Sequence, residues 1–262
     1  MPHAEVNGFR IHYERGGSGP LLVLLHGIGS NARSWAHQLQ GLADEYDVVA
    51  WDMRGYGTSS DPAEAYTMRD VANDLAGLLD HLGFEKAHVG GLSMGGVVAQ
   101  ELFRYYAGRV RSLILADTTA GQGALDEEER QRRLDQRLAG AAEPAGLARQ
   151  RTPVLLSPDA SPEVVAEAES IMTEIHPEGY RLAARAFAET DERDLLPRID
   201  VPALIIWGEC DTVVTREDID VLANGIKGAQ FELIPKAGHL SNQENPTAFN
   251  DAVRRFLAGV PD

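Results

Sequence analysis

The apolar positions of this chain recur with two periods. Short continuous or alternating runs read as strands: Ala4-Glu5-Val6 and Phe9 to Tyr13, Leu21 to Leu25, Asp47 to Trp51, Lys86 to Gly90, Val110 to Ala116, Ala203 to Trp207, and Gln230 to Ile234. Asn7-Gly8 separates the first two and is a strong hairpin signal. Gly16 to Pro20 reads as a loop before Leu21 to Leu25, whose unbroken apolar run predicts burial on both faces. Helical spacing fills the intervals. Ser30 to Tyr46 is a helix candidate with Trp35, Leu39 and Leu42 along one side. Thr67, with Asp70 three residues on, forms a capping-box pattern ahead of Val71, Leu75, Leu78, Leu79 and Leu82. Further helices are predicted from about Gly96, near Glu217 to Ile226, and from Pro246 with Phe249, Val253, Phe256 and Leu257 on one face. This alternation predicts an α/β fold, a parallel sheet covered by helices on both faces.

The rhythm breaks between Thr118 and about Pro197. No buried strand is evident there, and three charged stretches read as helices: Asp126 to Ala139, Pro162 to Ile175 and Pro177 to Glu189. In the second, Val164, Ala168, Ile171, Met172 and Ile175 make an apolar stripe that reads as helix packing. The expected organisation is a core of residues 1–119 and 197–262, with residues 120–196 a helical cap over the active-site end. A chain of 262 residues with 44% hydrophobic and 24% charged residues is long enough for one substantial core and has the balance of a soluble globular protein.

Charge and cysteine content narrow the partners. With 24 Lys and Arg against 40 Asp and Glu, the net charge of −16 gives no attraction to nucleic acid or to an anionic membrane. A single cysteine, Cys210, excludes an intrachain disulfide and fits a reducing compartment. Met1 to Glu5 lacks the basic and apolar segments of a signal peptide, and no apolar stretch approaches the roughly 20 residues that span a bilayer. A cytoplasmic protein acting on a small molecule is expected, with homo-oligomerisation left open.

Candidate chemistry centres on Gly91-Leu92-Ser93-Met94-Gly95, between a strand and a helix. A serine at such a turn is held at the apex, and flanking glycines let strand and helix approach closely. A serine hydroxyl needs a base, and the base an orienting carboxylate. Of eight histidines, His239 stands in Ala237-Gly238-His239-Leu240 just after the last predicted strand, where a loop returns to the carboxyl edge of the sheet. His26 ends an apolar strand before glycine and reads as loop-shaping. Asp211, in Gly208-Glu209-Cys210-Asp211, is the favoured carboxylate, and Asp117 at the end of another strand is its rival. The Met94 and Ile28 amides are the expected oxyanion donors, the latter from His26-Gly27-Ile28-Gly29. Asp52-Met53-Arg54-Gly55-Tyr56-Gly57 reads as structural support. No phosphate-binding glycine loop, dinucleotide fingerprint or Cys/His cluster with metal spacing occurs, so neither cofactor nor metal is expected.

Together, His26-Gly27, Asp52 to Gly57, Gly91 to Gly96, Gly208 to Asp211 and Gly238-His239 resemble the α/β-hydrolase superfamily over residues 20–119 and 200–258. The resemblance implies a mostly parallel eight-stranded sheet flanked by helices, and the order Ser93, Asp211, His239 is that of its catalytic residues. Gly91-Leu92-Ser93-Met94-Gly95-Gly96, Ala237 to Asn242 and Pro246…Phe249-Asn250 are similar to the 3-oxoadipate enol-lactonases, although those often carry His-Ser where this chain has His26-Gly27. The expectation is a cofactor-independent serine hydrolase of a small carboxylic ester or lactone, an enol-lactone favoured. The alternatives are a carbon–carbon bond hydrolase of ring-cleavage diketones, which Leu92 before the serine argues against, and a ligand receptor on a hydrolase scaffold with negligible turnover. Arg33, Trp35 and Arg185 are candidate substrate contacts, the arginines for a substrate carrying a free carboxylate.

Overall fold

Asn7 and Gly8 both take positive φ, 50° and 84°, and this mirror-image turn folds β1 (His3–Val6) back on β2 (Phe9–Gly17) with Val6 opposite Phe9. The computed structural model describes residues 2–261, so the outer limits of the expected core at 1 and 262 lie outside the described residues. The chain continues through β3 (Leu21–Leu25), α1 (Ala36–Gly41), β4 (Asp47–Trp51), α2 (Met68–Leu82), β5 (Ala87–Leu92), α3 (Met94–Tyr106) and β6 (Val110–Ala116). Four helices follow: α4 (Glu127–Leu138), α5 (Pro144–Leu155), α6 (Pro162–Met172) and α7 (Pro177–Glu189). The alternation resumes with β7 (Ala203–Gly208), α8 (Arg216–Gly225) and β8 (Gln230–Ile234), and ends in α9 (Ser241–Glu244) and α10 (Pro246–Leu257).

The eight strands form one sheet in the order β1-β2-β4-β3-β5-β6-β7-β8, antiparallel only at β1–β2 and β2–β4. From β3 the chain moves one way to β4, then returns past β3 to β5. The loops leaving β3 and β5 therefore lie side by side where the winding reverses, the crevice in which such sheets bind ligands. Because side chains alternate along a strand, each central strand supplies both cores. Leu21, Val23 and Leu25 pack with α2, α3 and α8 on one face, whereas Leu22 and Leu24 pack with Trp35, Leu42 and α10 on the other. Every residue of β3 and β4 is buried.

Several boundaries differ from the sequence reading. Gly16 and Gly17 are not loop but the end of β2, paired with Val48 and Asp47. A side chain on Gly17 would meet Tyr46 O at 2.2 Å, so glycine is what allows the strand to run so close to the next turn. The long helix expected over 30–46 is a 3-10 turn, Ala32–Trp35, followed by the short α1. The Asn31 side chain caps the turn by accepting from Arg33 N, and α1 stops at Gly41, where a side chain would lie 2.3 Å from Asn250 Nδ2. The nucleophile strand β5 continues to Leu92, and α3 begins at Met94, two residues before the expected start. The insertion holds four helices instead of three, α5 being the addition.

That insertion enters and leaves the sheet through adjacent backbone. Gly121 and Asp191 form an isolated antiparallel bridge, flanked by Glu192 N donating to Ala120 O (2.7 Å) and Gly123 N to Thr190 O (2.8 Å). Arg104 of α3 reinforces this neck, donating to buried Glu192 and to Asp194. Among the described residues, no helix is long and apolar enough to cross a membrane.

Candidate active site

Ser93 joins β5 to α3 with φ 54° and ψ −120°, a conformation outside the ordinary regions for a residue with a side chain. What holds it there is close packing. A side chain on Gly91 would lie 2.2 Å from Gly95 O, and one on Gly95 would lie 2.1 Å from Leu25 O, so only glycine lets α3 start directly against β3 and β5. The Ser93 amide donates to Ala116 O (2.9 Å), and its carbonyl accepts from Gly96 N and Thr118 Oγ1. Both backbone groups of Ser93 are thus anchored while its side chain borders a cavity of about 380 Å³.

His239 borders the same cavity, without a hydrogen bond to Ser93 among the described residues. Its Nδ1 lies 2.9 Å from Asp211 Oδ2, and its amide donates to Leu155 O of α5 (2.8 Å). The turn after β7 aims the carboxylate: Asp211 Oδ1 accepts from Val213 N (2.7 Å) and Val214 N (3.1 Å), leaving Oδ2 for the imidazole. Gly208 and Gly238 let the two loops touch, since a side chain on Gly208 would meet Gly238 O at 2.1 Å. Burial pulls the His239 pKa down, but the charge and hydrogen bond of Asp211, with the charge of Asp117, outweigh it and leave the imidazole above its ordinary value. Asp117 does not bond to His239. Its Oδ1 accepts from Gly208 N (2.7 Å) and its Oδ2 from Ser241 Oγ (2.5 Å), so it fastens the histidine loop to β7. Complete burial and the neighbouring charge of Asp211 push its pKa up to about 7. Glu209 faces away, accepting from Lys236 N.

The loop after β3 is held by His26. Met53 N donates to its Nε2 (3.1 Å), so the ring proton sits on Nδ1, which donates to Gly27 O (2.8 Å). Burial holds His26 below the usual imidazole pKa, consistent with this neutral tautomer. In a trans peptide the N–H points opposite to the C=O, so fixing Gly27 O toward His26 turns the Ile28 N–H the other way. Ile28 borders the cavity, and Gly27 packs against Ser93, where a side chain would lie 3.2 Å from Ser93 Cβ. Met94 N opens α3 and has no intrahelical acceptor. The Met94 side chain is fully buried in the core and does not line the cavity. Asp52 supports the loop from below, accepting from Ala32 N (2.7 Å), Thr58 N (2.9 Å) and His12 Nδ1 (2.7 Å). Arg54 turns away from the cavity to a buried pair with Asp74 (2.6 and 2.7 Å), its guanidinium over the Phe9 ring.

The three candidate substrate contacts lie elsewhere. Arg33 is on the surface, bound to Glu174 and Glu167, and ties the 3-10 turn to α6. Trp35 is 1% exposed and packs on Phe249, its ring turned into the core below the sheet. Arg185 borders a separate depression beside Tyr66, Arg69 and Glu101. The arginines that do border the Ser93 cavity are Arg132, Arg133, Arg137 and Arg151, on α4 and α5. Sequence reading passed over the three on α4 because that helix is so charged, and over Arg151 because α5 was not among the expected helices. The available signal was position: Arg137 follows Leu134, the buried residue of α4, by three, which puts both on one helix face. Apolar lining comes from Leu92, Leu155, Met172, Tyr180, Phe187 and Leu240. Among the described residues, no group of three or more His, Cys, Asp or Glu side chains is placed to hold a metal ion.

Comparison with known proteins agrees with this architecture. A family profile described as the alpha/beta hydrolase fold matches residues 20–246. The chain is 35% identical over 240 residues to 3-oxoadipate enol-lactonase 2 of Acinetobacter baylyi, covering 91% of this chain and 88% of that protein. A malate-bound thermophilic esterase from Thermogutta terrifontis matches with a TM-score of 0.93 at 33% identity, covering 99% of both chains. The enol-lactonase from Burkholderia xenovorans LB400 matches with a TM-score of 0.90 at 32% identity, covering 98% of this chain and 100% of that one.

Proposed function

Because the chain belongs to the alpha/beta hydrolase fold family and is a hydrolase acting on ester or lactone bonds, we propose that it cleaves a small carboxylic ester or lactone, an enol-lactone favoured, through a Ser93–His239–Asp211 triad and an acyl-enzyme. Ser93 Oγ attacks the carbonyl carbon as His239 Nε2 takes its proton. Asp211, on Nδ1, keeps the imidazole in the tautomer that leaves Nε2 free and stabilises the imidazolium. The Ile28 and Met94 N–H groups bind the tetrahedral oxyanion, and each such donor contributes about 3 kcal/mol. The intermediate collapses as the imidazolium protonates the leaving oxygen. Water, activated by His239, then attacks the acyl-enzyme and releases the acid and free Ser93. A lactone keeps its leaving group tethered and able to re-close the ring. An enol leaving group removes that hazard, because its ketone tautomer is a poor nucleophile.

The helical segment 120–196 is the lid of this site and residues 1–119 with 197–262 its core, a division supported by the backbone pairing at Gly121 and Asp191. The observation that carries the reading is the convergence of a strained, cavity-facing Ser93 with a hydrogen-bonded His239–Asp211 pair at one cavity. Ser93→Ala tests it: hydrolysis of a chromogenic short-chain ester falls about 10⁴-fold or more in kcat. Hydrolysis near the wild-type rate in that variant would sink the assignment. In the wild type, turnover continues past the first equivalent of product; a single burst with no steady state would favour a ligand receptor instead.

A further inference from the structure

Away from the Ser93 cavity, two carboxyl groups are buried together where the helical insertion returns to the sheet. Glu101 lies on α3 and is 8% exposed, and Glu192 follows the bridging residue Asp191 and is fully buried. The Glu192 amide donates to Ala120 O, so its side chain leaves from the paired backbone of the neck. Arg104, three residues after Glu101 on α3, is the cation of this cluster, and its N–H groups are directed elsewhere. Nε and Nη2 lie 2.9 and 2.7 Å from Glu192 Oε2, Nη1 and Nη2 bind Asp194, and Nη2 also donates to Asp191 O. Among the described residues, none of them bonds to Glu101. The other charged groups nearby have their own contacts or none with the pair. Arg69 of α2 lies over the Tyr105 ring at 4.3 Å, Glu189 pairs with Arg130 and Asp191 with Arg193, and Arg185 of α7 borders the adjoining depression without bonding to either carboxyl.

Glu101 Oε2 and Glu192 Oε1 are each shielded from solvent, and neither receives a donor among the described residues. The two carboxyls are nevertheless hydrogen-bond neighbours. Two carboxylates so placed repel each other, whereas one proton between them satisfies both orphan oxygens and leaves the pair a single negative charge beside Arg104. Burial first, and then the charge of Glu101, push the Glu192 pKa up to about 8, and burial raises that of Glu101 as well.

We propose that Glu101 and Glu192 share one proton and form a pH-operated latch between α3 and the neck of the helical insertion, closed while the pair holds the proton and released as it is lost. The latch is independent of the chemistry at Ser93. Opening the neck exposes both carboxyls to water, where each returns to an ordinary value near 4.5. The closed pair holds its proton above that value. Closure is therefore fully favoured below pH 4.5, weakens as the pH rises toward about 8, and weakens no further once both open and closed forms are ionised. Across that window opening becomes more frequent by up to about tenfold per pH unit, since one proton is released on opening.

Isosteric amides test the latch. Glu192→Gln keeps an oxygen for Arg104 and offers an N–H to Glu101. Glu101→Gln offers an N–H to Glu192 Oε1 and leaves Glu192 charged beside Arg104, so both variants keep the bond without the ionisable proton. The full chain is digested with proteinase K between pH 6 and 9, and cleavage within residues 120–196 is normalised to that of an unfolded substrate. Wild-type cleavage is expected to accelerate about tenfold or more between pH 6 and 8 and then level off, whereas either variant changes by less than about threefold. Asp117, another buried acid with a raised pKa, acts alike in wild type and variants and drops out of the comparison. Wild-type protein labelled with ¹³C at the glutamate side-chain carboxyls gives a second readout: a resonance titrating near pH 8, absent from Glu192→Gln. A wild-type spectrum in which every glutamate titrates with an ordinary carboxylate midpoint would overturn the shared proton without any variant having to fold. Variants cleaved faster than wild type at every pH would make Glu192 a plain ionic partner of Arg104 and overturn the latch. A resonance near pH 8 with the same pH dependence of cleavage in wild type and variants would overturn it too, because the shared proton would then not hold the neck.

Discussion

Two buried aspartates stand near His239, and their hydrogen bonds give them different work. Asp211 spends one oxygen on two backbone amides and the other on Nδ1, so replacing it by Asn presents an N–H or a mis-set tautomer to the ring. Asp211→Asn is expected to lower kcat by about 10³–10⁴-fold. Asp117 spends both oxygens on Gly208 N and Ser241 Oγ, and Asn can meet the same partners, so Asp117→Asn should keep kcat within about tenfold of wild type. It should, however, move the pH profile. Hydrolysis needs neutral His239, and the Asp117 charge favours the imidazolium. Removing that charge lowers the histidine pKa, so the acid limb of kcat/KM shifts to lower pH. A larger kcat loss in Asp117→Asn than in Asp211→Asn would assign the orienting role to Asp117, and a limb moving to higher pH would overturn the electrostatic reading of Asp117. That Ser93, Asp211 and His239 would be brought together was legible in the sequence because each follows a strand in a glycine-marked turn. Arg137 was not, because a guanidinium on a charged helix reads as solvated until the fold reveals which carboxylates come within reach. The same blindness made Arg33 a candidate: Glu167 and Glu174, which neutralise it, lie more than 130 residues away.

Among the elements, glycine separates turns that tolerate change from junctions that do not. Gly83 ends α2 with φ 78° and open space around it, so Gly83→Ala costs only backbone strain, about 1 kcal/mol. Gly95 has an unremarkable φ but would drive a side chain to 2.1 Å from Leu25 O, backbone that cannot move without shifting β3. Gly95→Ala should therefore cost about 3 kcal/mol or more, or prevent folding, as urea unfolding of the two variants side by side would reveal. Equal losses in both would mean that strain, not contact, governs the elbow. Elements with local signatures were readable in advance. The Thr67 capping box forms with its third-residue aspartate, and β3, β4, β6 and β8 have the limits their apolar runs predict. α5 escaped because Gly146 and Pro153 interrupt it and only Leu147, Ala148, Thr152 and Leu155 are buried along it. Its stability comes from contacts with α6 and the histidine loop, which no local pattern records.

At the scale of the whole molecule, the site is assembled from parts far apart in sequence, and one side chain joins the loop after β8 to the end of α5. Glu244, in α9, accepts from Gly238 N through Oε1 (2.6 Å) and from Ser157 N through Oε2 (2.8 Å). The first amide belongs to the histidine loop and the second follows α5, while His239 N donates back to Leu155 O. Gly238 lies so close to this segment that a side chain there would meet Leu156 C at 2.7 Å. The position of the imidazole is therefore tied to the seating of α5, the helix that also carries Arg151. Buried polar bonds elsewhere keep the remaining loops in place: Gln38 Nε2 donates to Asn242 O and Asn250 Oδ1, and Asn242 Nδ2 donates to Ser34 O, so the residues that follow His239 brace the 3-10 turn and α1. Removing Glu244 leaves two buried amides unpaired, a loss of about 1–3 kcal/mol each. Glu244→Ala should lower stability by about 2 kcal/mol or more and, in protein that remains folded, reduce kcat by about tenfold as the histidine loop loses its fixed distance from Ser93. Glu244→Gln can satisfy one amide and should fall between. If kcat is unchanged while stability drops, the clamp serves the fold alone; if both fall together in the order Gln then Ala, the insertion and the catalytic loop move as one unit.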